Sequence, residues 1–159
     1  MFESAYKYKS WADERTIRAI YKVDGDSYSK ALGFLHQQLN HMTIVEDLFR
    51  ARLLQAAEPH ATTNTVDLPE LGELVARKSE SNTWYLQYVA QLSAADLEAR
   101  VLFNFTAGNS GDMSRSEVLL HVLNHGTYHR GAISHALDLA EVAHPVDGYA
   151  KYIQDQQSE

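Results

Sequence analysis

Apolar residues recur at helical spacing along four long segments of this 159-residue chain, and this pattern restricts it to a helical fold. The segments cover roughly residues 3–22, 29–57, 67–92 and 114–141. Two adjacent apolar seams run along the second: Leu32, Leu35, Leu39, Met42, Phe49 and Leu53, and then Phe34, His41, Val45 and Leu48. Because helices bury such faces against one another, we predict an all-α four-helix bundle, with residues 1–159 forming a single domain.

Two stretches between these segments depart from helical spacing. Residues 58–67 are polar, contain Pro59 and are long for a hairpin between helices, so we expect a long crossover connection there. In residues 100–111 apolar and polar side chains alternate over Val101–Thr106, which predicts a short extended insert before the last helix.

Two capping boxes are predicted at helix starts. Ser114 and Glu117 have the spacing of a capping box at the start of the last helix. Asp67 and Glu70 have the same spacing and predict the start of the third.

Composition excludes several classes of protein. The formal net charge is -7, from 21 acidic residues against 14 Lys and Arg, which argues against nucleic-acid binding. The chain has no cysteine, which excludes disulfides, cysteine metal sites and a cysteine nucleophile. It has no signal-peptide pattern at its start and no run of about 18 apolar residues, so we expect a cytoplasmic protein without a membrane span.

A histidine pair lies on the apolar stripe of the fourth segment. His125 and His129 are four residues apart, so they share one face of a helix and can bind one divalent ion. Such pairs also occur by chance on solvated faces. Here the pair lies in line with apolar residues, and two glycines, Gly126 and Gly131, each cost the helix roughly 1 kcal/mol relative to Ala. That cost indicates a local need for space.

A third histidine, His41, lies on an inward seam of the second segment. It is either a structural core residue or the third nitrogen ligand of a metal site. His121, one turn before His125, drifts off the apolar stripe and is the weaker ligand candidate. We therefore predict a divalent metal site made of His41, His125 and His129.

Three charged residues are candidates for supporting roles. Asp13 and Glu46 lie among apolar neighbours, where each either orients a ligand histidine or reaches solvent at a helix edge. Arg130 follows His129 and either anchors an anionic substrate or forms a structural ion pair, and we favour the ion pair.

Several motifs together resemble those of the DinB superfamily, which contains bacillithiol S-transferases and mycothiol-dependent maleylpyruvate isomerases. Tyr8–Asp13 resembles the Tyr-Asn-x-Trp-Ala-Asn element of that family, and Leu39–His41 its second-helix histidine region. The most specific match is His121–Gly131, which follows His-Val-x-Asn-His-Gly-Thr-x-His-Arg-Gly very closely. Pro145–Asp147 with Tyr152 resembles the family's ending.

The resemblance implies a four-helix bundle with a long crossover and a metal bound by one histidine of the second helix and two of the fourth. Carried over, these are His41, His125 and His129, which argues against His121 as a ligand. Two positions depart from the pattern: Ala132 replaces a common Gln, and Asp13 replaces the usual Asn. The resemblance also implies a homodimer, since relatives commonly pair through bundle helices.

These observations favour a metal-dependent enzyme that acts on a small molecule. Three imidazoles leave the full charge of the ion in place and leave coordination positions open. Zinc and nickel suit such a site. Since relatives use low-molecular-weight thiols, the leading hypothesis is a thiol S-transferase. The alternatives are a hydrolase that uses metal-bound water and a non-catalytic bundle that binds metal or a small molecule.

Overall fold

The computed structural model describes residues 1–158, which contain six helices and one pair of strands. The elements, in chain order, are α1 (Phe2–Ile20), α2 (Ser29–Leu54), α3 (Leu71–Ala90), α4 (Ala94–Glu98), β1 (Arg100–Asn104), β2 (Ser110–Ser114), α5 (Arg115–Leu139) and α6 (Tyr149–Gln156). The expectation of an all-α chain is confirmed only in part, because the fold is mostly helical but includes a two-stranded sheet.

The four long helices pack against one another in pairs. Both α1 and α2 pack against α3 and against α5. Within residues 1–158, no helix has the length and hydropathy required to cross a membrane.

One of the two predicted helix starts is confirmed. At the start of α5, Ser114 accepts from the backbone N–H of Glu117, whose carboxylate accepts in return from the N–H of Ser114. The predicted start at Asp67 is wrong, since α3 begins only at Leu71. Pro69 disfavours a helical backbone in the residue before it, so the helix starts after the proline.

The predicted extended insert is one arm of a β-hairpin. β1 pairs antiparallel with β2, with Val101 opposite Met113 and Phe103 opposite Gly111. The Phe103 ring covers Gly111, where an added Cβ would lie 2.5 Å from a ring atom. The second strand was not predicted, because Ser110–Ser114 lacks alternating apolar residues.

The buried apolar residues form separate clusters along the length of the long helices. The larger cluster includes Tyr6, Val45, Phe49, Tyr85 and Val122. The second is built mainly from Ala19, Ile20, Leu35, Met42, Ile133 and Leu137. Along α1 and α5 the positions between these clusters hold charged side chains that are almost fully buried, and on α2 a buried Glu46 lies between Val45 and Phe49 of the larger cluster.

Five buried charged side chains, contributed by all four long helices, form a charged layer. Its members are Lys9 and Asp13 of α1, Glu46 of α2, Lys78 of α3 and Arg130 of α5, each at most 2% exposed. Lys9 donates to Asp13 at 2.9 Å and lies 2.8 Å from Glu46. Lys78 donates to Glu46 at 2.5 Å, and Arg130 donates to Asp13 at 3.0 Å.

Both carboxylates of the charged layer stay ionised at neutral pH. Burial alone raises the pKa of Asp13, but Lys78, Lys9 and Arg130 outweigh it and hold that pKa well below its usual range. Burial also raises the pKa of Glu46, and Lys78 and Lys9 reverse the effect. The layer therefore stabilises the fold only as a complete set of opposite charges.

We expect Lys78→Met to lower the free energy of unfolding by about 3–5 kcal/mol, because it leaves Glu46 as a buried charge without its closest cation. Lys7→Met is the matched control, since Lys7 forms an exposed pair with Glu3 on α1. It should have little effect. Urea denaturation measures both variants, and equal effects of the two would contradict the structural role of the charged layer.

Candidate metal centre

Three histidines converge between α2 and α5. His41 projects from α2, and His125 and His129 project from consecutive turns of α5. One ring nitrogen from each lies within 4.8 Å of those of the other two. The Nε2 atoms of His41 and His125 are 3.1 Å apart. The structure thus brings together the same three residues that the sequence predicted as ligands, and all three are partly exposed.

Outer hydrogen bonds determine which ring nitrogens face the centre. His41 Nδ1 lies 2.8 Å from the backbone carbonyl of Thr63, in the crossover connection between α2 and α3. His129 Nδ1 lies 2.6 Å from Oε1 of Gln38. Both oxygens only accept, so each Nδ1 carries the proton and each Nε2 has a free lone pair. This is the arrangement that orients metal-binding histidines in proteins.

Neither outer acceptor was predicted. Gln38 precedes His41 by three residues and is therefore its neighbour on the α2 surface, which was an available signal. Thr63 acts through its backbone carbonyl, a group that every residue type carries. No residue pattern distinguishes it.

The environment keeps His125 and His129 neutral. Burial lowers the pKa of His125 to about 3, with further contributions from His129 and His41. Burial, followed by His41 and Lys78, lowers the pKa of His129 to about 4. Imidazoles bind metals only in the neutral form, so both of these rings are ready to donate a lone pair at neutral pH.

His121 lies outside the group of three. Its ring centroid is 5.8 Å from that of His125 and only 4.7 Å from that of Phe49, against which it packs. Burial and the positive charge of Arg52 lower the pKa of His121. Its contacts are those of a structural residue beside the centre.

The two candidate carboxylates have partners other than histidine. Asp13 and Glu46 are buried and are bound by Lys9, Lys78 and Arg130, so the expectation that each reaches solvent or orients a ligand histidine is wrong. Neither Lys9 nor Lys78 was predicted, because lysine is rarely buried completely. The one available signal was the spacing of Lys9 and Asp13, four residues apart on α1.

Arg130 forms the structural ion pair that we favoured. Its guanidinium donates to Asp13 at 3.0 Å and to Asp147 at 2.7 Å, and it is 1% exposed. An added Cβ at Gly126 would lie 3.1 Å from Nη1 of Arg130. Gly126 therefore provides the space that its position in the helix indicated, and the group it makes room for is the guanidinium.

Three neutral imidazoles suit a divalent ion of borderline softness. Such a donor set adds no negative charge, so a bound ion keeps its full positive charge and retains positions for other ligands. Outer acceptors already orient two of the three rings, so the residues present fit a divalent metal ion.

We expect the metal-free protein to lose stability as the pH falls from 7 to 5. The pKa values of His125 and His129 are depressed in the folded state, so below about pH 6.5 the unfolded chain binds more protons and is favoured. The measurement is the urea midpoint in the presence of a chelator. The double variant His125→Gln/His129→Gln should lose less stability over this range, whereas the exposed control His135→Gln should behave as wild type. Equal pH dependence in all three proteins would contradict this assignment.

Comparison with known proteins agrees with the motifs. The chain is similar to "Protein DinB" of Bacillus subtilis (strain 168), with 26% identity over 163 residues, covering 93% of this chain and 91% of the relative. The DinB family model matches residues 1–159, the whole chain, as the motif at His121–Gly131 predicted. The protein belongs to the DinB family.

Proposed function

We propose that the protein is a metal-dependent enzyme in which His41, His125 and His129 bind one divalent ion, zinc or nickel. The observation that carries this proposal is the convergence of their ring nitrogens within 4.8 Å, with outer acceptors on two of the three rings. Membership of the DinB family supports it.

We further propose that the reaction is the transfer of a low-molecular-weight thiol to a small electrophile. When bound, a divalent ion lowers the pKa of a coordinated thiol or water and so supplies a nucleophile near neutral pH. The chain has no cysteine, so a reacting thiol must come from a second substrate.

Residues other than the three histidines have two roles in this proposal. Gln38 and the Thr63 carbonyl keep the rings of His129 and His41 in one tautomer and one orientation. Glu46 and Lys78 belong to the charged layer and hold α2 against α3.

The homodimer expected from the sequence stays a prediction.

We expect removal of any of the three histidines to weaken zinc or nickel binding by more than 100-fold. Loss of an outer partner costs about 10- to 100-fold, which is the effect expected for Gln38→Leu, and loss of a ligand costs more. Calorimetry on His41→Ala, His125→Ala and His129→Ala measures this. His121→Ala is the matched control on α5 and should bind as wild type. If His121→Ala loses affinity while His41→Ala does not, the centre is assigned to the wrong residues.

A screen of reactions tests the proposed chemistry. The metal-loaded protein is incubated with glutathione, bacillithiol or mycothiol and an electrophile, and in parallel with ester and amide substrates. We expect thiol consumption that requires metal and is lost in His129→Ala, because that variant lacks a ligand. Hydrolysis without a thiol requirement would favour the hydrolase. Metal binding without turnover in either screen would favour the non-catalytic role.

A further inference from the structure

An apolar groove lies between the start of α2 and the second half of α5. It has a volume of about 700 Å³, within the range of small-molecule pockets. Its walls are mostly apolar and include Tyr28, Ala31, Phe34, Ala132, Ala136 and Leu139. Phe34 is 39% exposed and Leu139 64% exposed, so both present ring or methyl surface to an occupant. The prediction that Phe34 lies on a buried seam is therefore wrong.

The groove begins one helical turn from the histidine cluster. Ala132 follows His129 by three residues, about 4.5 Å along the α5 axis. Phe34 precedes Gln38 by four residues on α2, and Gln38 contacts His129. Leu139 is about 15 Å along the axis from His129. None of the three clustered histidines lines the groove, so an occupant reaches the cluster only with one end.

We propose that this groove binds the apolar part of the substrate, so that the preferred substrates combine a polar reacting end with an alkyl or aryl body. The position of the substrate's polar end rests on the proposed function. The position of its apolar body rests on the groove alone. The small side chains of Ala132 and Ala136 leave the wall next to His129 open. An apolar body there is removed from water along α5 while its other end points toward the imidazoles.

The first experiment measures how affinity depends on chain length. Straight-chain thiols from ethanethiol to octanethiol are titrated into the nickel-loaded protein, with the thiolate-to-nickel absorption as readout. We expect affinity to rise about fourfold per methylene, the value of burying one CH₂ group. Ala132→Trp fills the groove. It should reduce the ratio of octanethiol affinity to ethanethiol affinity at least tenfold, while nickel affinity stays unchanged. Ala150→Trp, at an exposed position of α6, is the control and should have the same affinity ratio as the wild type.

Phe34→Ala keeps the test valid if Ala132→Trp folds poorly. It removes an exposed aromatic wall of the groove and should weaken octanethiol binding without changing the binding of ethanethiol or nickel. Equal affinity for all chain lengths in the nickel-loaded wild type would overturn the proposal.

A second experiment separates this proposal from the proposed function. 1-Octanol is titrated into the metal-free protein, and the methyl signals of Ala132 and Ala136 are followed by NMR. Shifts of these methyls, with the Ala136 shift lost in Ala132→Trp and both shifts kept in Ala150→Trp, support the groove even if no thiol binds the metal. Absent shifts overturn it even if the metal site is confirmed. A dimer that Ala132→Trp converts to a monomer would also overturn it, because the groove would then be an interface between copies.

Discussion

The buried charged layer is the interaction on which the rest of the structure depends. The four long helices all contribute to this layer, and its ion pairs join α1 to α2, α3 and α5 and join α2 to α3. Apolar side chains tolerate sliding and repacking, whereas hydrogen-bonded ion pairs need particular distances and angles. We infer that the layer sets the relative height of the helices.

That alignment positions the histidine cluster. Glu46 follows His41 by five residues on α2, and Arg130 directly follows His129 on α5. Once Glu46 and Arg130 are held in the same layer, His41 is held level with His125 and His129. The layer can be buried because its charges balance. Lys9, Lys78 and Arg130 are matched by Asp13, Glu46 and the partly exposed Asp147. The Ser81 hydroxyl of α3 also donates to the Glu46 carboxylate, and the Tyr85 hydroxyl donates to the backbone carbonyl of Glu46.

The features that could be predicted from the sequence are mainly those that follow from helical periodicity, such as the long helices and the faces on which the histidines lie. Four residues make about one turn, so His125 and His129 were predictable as neighbours, and the apolar seam of α2 placed His41 opposite them. Lys78 could not be predicted, because its aliphatic stem and charge fit an exposed helix face equally well. Phe34 was predicted as buried from its seam, but it lines the open groove between α2 and α5. Such features depend on three-dimensional proximity, which the spacing of residues along one helix does not encode.

The crossover connection between α2 and α3 has a role that its polar composition does not suggest. Loops of this length are usually mobile, yet this one is anchored along its length. Arg52 binds Glu58, His60 pairs with Asp47, and Asn40 donates to Thr65. Between these anchors the Thr63 carbonyl is held in place to accept from His41. A carbonyl can select one tautomer of an imidazole only if it stays within hydrogen-bond distance, so the anchors of the connection and the orientation of His41 are parts of one arrangement.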